Sequence, residues 1–303
     1  MTVRNPAIVG DGAQFRLGPR PQTSWGVSMG TAFFFGETGA GLYFVSQFYD
    51  LLPGMIAGLL MVALGKGGGH LLHLGQPMRG WRAFAKIGRS WISRGLFAIV
   101  VFCGCATVHI ADRYLGLLPQ PLSALFALVA ILACLVVMVY QGFAMAHSSS
   151  LALWSTGLMP IASLTYSLLN GIVLTLLLGL DTLRAAEPYT VRLLQVVALV
   201  VLMFGVVTML SVLHSARYGT GGSKHAMEQL VRGPYAAKFL GLVMGAGLVV
   251  PAALLGFAPI NTVTLVLVAA AELTGCYAFR LLMFKAAAYE PALSCAPRFN
   301  LGR

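Results

Sequence analysis

His70 and His73 stand three residues apart at the head of HLLHLGQPMRGWRAFAKIGRSWISRG, a stretch that adds Arg79, Arg82, Lys86, Arg89, Arg94 and two tryptophans but no acid. An imidazole titrates near neutrality and can take a proton from a reacting group. Guanidinium and ammonium groups favour developing negative charge, or meet an acidic surface. Two carboxylates lie elsewhere in strongly apolar surroundings, Glu37 in FFFGETGAG and Glu272 in AAELTGC. These residue types suit proton movement and the handling of anionic charge at the edge of an apolar phase.

The apolar phase is a membrane. Of 303 residues, 58% are hydrophobic and 10% charged, with mean hydropathy +0.83; a soluble domain carries about 25% charged residues. Apolar runs of about 20 residues, enough to cross a hydrocarbon core, recur along the chain. Runs of that length without strand alternation predict an all-α integral membrane protein. Eight transmembrane helices are expected, at 24–48, 51–72, 91–111, 120–146, 151–180, 191–214, 236–258 and 261–284. The fifth is long enough to include an interfacial turn near Pro160. Two four-helix bundles, 24–146 and 147–285, would be joined at HSSS, with tails at 1–23 and 286–303. The first 22 residues are polar and rich in Gly and Pro, which predicts no cleaved signal peptide. Runs such as MGTAFFFGETGAG and GLVMGAGLVV favour close helix packing.

An even number of spans puts both termini on one side. That side receives 17 Lys and Arg: Arg4, Arg16 and Arg20; Lys66, Arg79, Arg82, Lys86, Arg89 and Arg94; Arg217, Lys224, Arg232 and Lys238; Arg280, Lys285, Arg298 and Arg303. The other side receives 3: Arg113, Arg184 and Arg192. The positive-inside rule then predicts cytoplasmic termini and a cytoplasmic 70–95 loop in a bacterial inner membrane. The net charge of +11 is read as topology, not as a nucleic-acid surface. A loop that docks an acidic partner would give the same signal, and Arg82, Lys86 and Arg89 are the docking candidates. The five cysteines form no CxxC array, so a resident iron–sulfur cluster is not expected. No metal site is expected either.

An ionisable side chain at mid-membrane is costly and marks a functional candidate. Glu37, flanked by Gly36, Gly39 and Gly41, has room beside it for a ligand or another helix. Arg280, two turns after Glu272, is expected to snorkel to the interface. A haem subunit would need facing imidazoles, and His70, His73, His147 and His214 cluster near one side with only His109 near the other. A proton-coupled transporter built on Glu37 and Glu272 is a further alternative, although transporters tend to show repeated broken helices. In the loop, Met78, Trp81, Phe84 and Ile87 alternate with basic residues, as in an interfacial segment on anionic lipid. That reading leaves His73, beside Gly75 and Pro77, without a role.

The stretch LLHLGQPMRGWRAFAKIGRSWISRG resembles the HLG-x-P-x-R segment and following Ser-rich stretch of dimethyl sulfoxide reductase membrane anchors. Those belong with the polysulfide-reductase (NrfD-like) and nitrite-reductase type quinone-interacting anchors. FFFGETGAGLYF, MVYQGFAMAHSSSLALWSTGLMP and AAELTGCYAFR agree with the resemblance. It implies an eight-helix anchor without a bound cofactor that exchanges electrons with a quinone, menaquinone or ubiquinone. The implied partners are a four-cluster iron–sulfur subunit and a molybdopterin (Mo or W) catalytic subunit. His73 would sit at the quinone head group, Arg79 matches the motif arginine, and Glu272 matches the last-span acid. Gly95 stands where many such anchors carry an acid, and Glu37 is the candidate replacement. Trp81, Gly39, Tyr43 and Arg94 complete the expected quinone environment; Glu37, His73 and Glu272 are the expected proton carriers. A cytoplasmic loop would allow a cytoplasmic substrate for the catalytic partner, such as an acyl-CoA.

Overall fold

The computed structural model describes residues 19–290. Arg4 and Arg16, and with them Cys295, Arg298 and Arg303, lie outside the described residues. The chain runs through α1 (Val27–Phe48), α2 (Leu52–His73), α3 (Trp91–Leu115), α4 (Gln120–Ala146) and α5 (Leu158–Ala186). It continues through α6 (Pro188–Tyr218), the short α7 (Gly221–Val231), α8 (Ala236–Phe257) and α9 (Thr262–Ala286). A 3-10 helix, Pro77–Lys86, crosses between α2 and α3. Local chemistry sets these boundaries. Ser90 and Asn261 cap α3 and α9 with their side chains, and Gly116 ends α3 in the left-handed region at φ 60°.

Among the described residues seven helices, α2 to α6, α8 and α9, are long and apolar enough to cross a membrane. The protein is therefore multi-pass. The first expected span, α1, has 22 residues but falls short of that apolarity, because it carries Glu37 and several glycines. Its surroundings explain the composition. α1 packs against α2, α4, α5 and α9, and its stretch from Gly36 to Tyr43 is wholly buried. A helix enclosed by protein need not be as apolar as one facing lipid. Gly41 and Gly171 make the α1–α5 contact, where a side chain on either would run into the other helix's backbone.

Buried apolar residues form two clusters. One is built mainly from α5 to α9, and the other from α1 to α4, including Tyr43, Phe102 and Met138. The expected fifth span starts later than its hydropathy suggests. Residues 151–157 form a folded loop, and Pro160 sits in the first turn of α5, where its missing N–H costs nothing.

The two described ends meet. Arg20–Pro21 pairs antiparallel with Ala288–Tyr289, and Leu151 bridges to Tyr289. Buried Gln22 donates to the carbonyls of Phe284 (2.7 Å) and Trp25 (2.8 Å). Trp154 donates to Met283 O at 2.9 Å, and its ring lies 5.1 Å from Trp25. This knot of terminal segments holds Trp25 at the same end of the molecule as the 70–95 loop, since both line one cavity.

Candidate functional site

That cavity has a volume of about 430 Å³. α2 contributes His70 and His73; the 3-10 helix contributes Arg79, Gly80 and Ala83. Trp25, Met29 and Phe33 form the α1 side, and Ile92, Leu96 and Ile99 of α3 with Tyr140 and Ala144 of α4 close it. The walls are thus mostly apolar or aromatic, with a few polar atoms at defined places, the usual makeup of a small-molecule site. Arg79 is exposed, and His70 and His73 are both half-buried lining residues.

The 3-10 helix places one part of the wall. In this helix residues i and i+3 eclipse, so Gly80 and Ala83 fall in line on the cavity while Met78 and Trp81 fall in line elsewhere. Met78 and Trp81 are 90% and 67% exposed. Trp81 therefore takes no part in the cavity wall, and Arg82 lies over its ring, 5.7 Å away. Arg94 fixes the end of the loop, donating to the carbonyls of Ile87 (3.0 Å) and Gly88 (2.9 Å) and lying 4.7 Å over Trp91. Trp91 in turn stacks on Phe143 at 4.2 Å. Arg94 thus orients the loop without lining the cavity. Arg82, Lys86 and Arg89 are exposed and make no ion pair among the described residues.

Tyr140 was not singled out from the sequence, yet it joins the parts. Its hydroxyl lies 3.4 Å from His70 Nε2. Gly95 makes room for it, because a side chain at Gly95 would overlap the Tyr140 ring. The place where the family resemblance implies an acid is thus filled by a phenol ring from α4.

The expected acids lie deeper. Glu37 is fully buried and held by Arg280, whose Nε donates to Oε2 at 2.7 Å and whose Nη2 donates to Oε1. Arg280 also donates to Ser163 Oγ at 3.0 Å. The expectation that Arg280 snorkels is corrected: its side chain is fully buried, because a carboxylate and a hydroxyl reach it inside the bundle. Lys66, counted with the loop cations, is also fully buried. Glu272 is buried, and among the described residues it makes no ion pair. Asn170 satisfies it when its amide nitrogen faces Glu272 Oε2 at 2.8 Å and its oxygen accepts from Thr38. Gly39 lies against Gly58 and Met61, and Tyr43 packs edge-on to Phe102 at 4.9 Å. None of Glu37, Gly39, Tyr43 and Glu272 lines the cavity.

His109 sits at the other end of the molecule in a second cavity with Asp50, Asp112 and Arg113. Among the described residues, no three His, Cys, Asp or Glu side chains group as a metal site.

The family model for the DMSO reductase anchor subunit (DmsC) matches residues 49–278. The chain belongs to that family. The match covers the 70–95 loop and most of the bundle; Trp25, Phe33, Glu37 and Arg280 fall outside it. No curated protein matches the chain.

Proposed function

We propose that this anchor subunit exchanges electrons between a membrane quinone, menaquinone or ubiquinone, and an iron–sulfur subunit docked on the 70–95 loop. That partner would pass electrons to or from a molybdopterin catalytic subunit. The observation that carries the reading is the cavity itself: mostly apolar walls at one end of the bundle, lined also by His73 and Arg79, next to a basic loop whose Arg82, Lys86 and Arg89 make no ion pair among the described residues. Quinol oxidation releases two electrons and two protons. His73 is placed to take one proton at its imidazole, and Arg79 to favour negative charge on the ring oxygen. Trp25 and Phe33 supply aromatic wall beside the ring. Arg82, Lys86 and Arg89 would steer an acidic partner surface to the cavity.

Both described ends pair at the cavity end, which supports counting α1 as an eighth crossing. Its length of about 33 Å matches a hydrocarbon core. Setting Lys66 and Arg280 aside as buried, the remaining cations still favour a cytoplasmic cavity end and cytoplasmic termini. A cytoplasmic catalytic partner acting on an acyl-CoA-type substrate fits that orientation. A periplasm-active reporter that works at the C-terminus would overturn the orientation.

The test of the site is His73→Ala in the assembled complex. Quinol-dependent turnover should fall about tenfold or more, and a quinol-site inhibitor should bind more weakly, with the partner subunits still attached. Wild-type turnover with unchanged inhibitor binding would refute the assignment.

A further inference from the structure

Lys66 lies behind the cavity wall and has no place in the reading so far. It ends a π-helical stretch of α2, Met61–Lys66, a departure from regular helix that recurs at functional sites. Its side chain is fully buried, and among the described residues no carboxylate lies within 4.0 Å of its Nζ. Among the described residues its one hydrogen-bond acceptor is Gln141 Oε1. Gln141 is held in turn by donating to Phe33 O at 3.2 Å. Two ring faces also cover it, Tyr140 at 4.8 Å and Phe33 at 5.3 Å. An ammonium has three donors, and a buried charge without a paired counter-ion is costly. A permanent structural cation would be better served by the pairing that Arg280 has.

The two rings that cover Lys66 are both wall residues of the cavity. Tyr140 also meets His70 at 3.4 Å, and His70 follows Lys66 by four residues on α2, on the same side of the helix. On the inner side, Lys66 packs against Gly36, the neighbour of Glu37, whose carboxylate is already bound by Arg280. The titratable and charged groups around Lys66 are thus His70 and Tyr140 toward the cavity, and Glu37 and Arg280 toward the core. A buried lysine is suited to switching between ammonium and amine.

We infer that Lys66 is the internal proton acceptor of the cavity, exchanging the second quinol proton by way of His70 and Tyr140. This rests on the quinone reading above. In the oxidation direction, one quinol O–H proton goes to His73 and the other reaches the Lys66 amine, where an N–H bond forms. The two electrons leave to the oxidised iron–sulfur partner, and the quinol becomes quinone. Quinone reduction runs the same steps backwards.

The experiment uses the assembled complex and a short-chain quinol, with turnover followed between about pH 5 and pH 9. Lys66→Met should lower kcat at least about tenfold with KM within about twofold, and remove one ionisation from the kcat profile. Lys66→Arg keeps a charge that does not give up its proton, and should show the same loss. Gln141→Leu keeps the lysine but removes its acceptor, and should shift that ionisation; it guards against poor assembly of the Lys66 variants. Wild-type kcat profiles in assembled Lys66→Met, or an unshifted profile in assembled Gln141→Leu, overturn the inference. His73→Ala separates the two levels: full quinol affinity there sinks the cavity reading. A strong His73 effect with unmoved Lys66 and Gln141 profiles sinks this inference alone.

Discussion

The 70–95 loop and the interior of the α1–α9 contact both hold arginine, and they use charge in opposite ways. In the loop, Arg82, Lys86 and Arg89 point away from any carboxylate among the described residues and are exposed to solvent or to a partner. In the interior, Arg280 and Glu37 are fully buried and bound to each other through two hydrogen bonds, with Ser163 as a third contact. An exposed charge costs little to keep and contributes chiefly to encounter and specificity. A buried one is tolerated only while its partner remains. Position, not residue type, separates a docking surface from a structural pair.

The sharpest way to test that contrast is to break the buried pair. Glu37→Gln leaves Arg280 without its carboxylate and should destabilise the protein by about 3–5 kcal/mol, read as denaturant unfolding in detergent. Replacing both, Glu37→Leu with Arg280→Met, should recover most of that loss, because no charge is then stranded. A single variant as stable as the parent would mean the pair is not the buried anchor it is taken to be.

The loop should respond through association instead. Arg82→Glu with Lys86→Glu and Arg89→Glu should leave the stability of the subunit within about 0.5 kcal/mol. Binding of the iron–sulfur partner should weaken at least about tenfold, and its salt dependence should flatten. Unchanged partner affinity at low salt would remove the loop from the docking surface. The smallest effect belongs to the exposed pair at the far end, Arg113 with Asp50. Arg113→Ala should cost less than about 1 kcal/mol, and a cost resembling that of Glu37→Gln would erase the distinction between exposed and buried charge.

The spans and a small part of the cavity lining were legible before any coordinates. Seven of the expected spans appear within a few residues of their apolar runs, except for the late start of α5. His73 stood out beside Gly75 and Pro77 and Arg79 through the family resemblance, and both line the cavity. Its other walls were not. Trp25 and Phe33 come from the start of the chain and Tyr140 from the fourth helix, so only packing brings them to His73. Tyr140 gave one signal: it faces the glycine at position 95, where the resemblance implied an acid. Lys66 gave another, as a cation flanked by glycine inside an apolar run; counting it with the loop hid its burial.

The sequence by itself determined that this is a multi-pass helical membrane protein with a basic, histidine-bearing loop. Apolar length and composition are local properties, and lipid leaves the backbone few other ways to satisfy its hydrogen bonds. Only the tertiary structure decided which cations are paired, which are exposed and which lie alone behind a cavity. Glu37 and Arg280 are 243 positions apart and Lys66 and Gln141 are 75 apart, and no local pattern links residues at such separations. Helix packing alone sets those distances, and burial then sets what each charge can do.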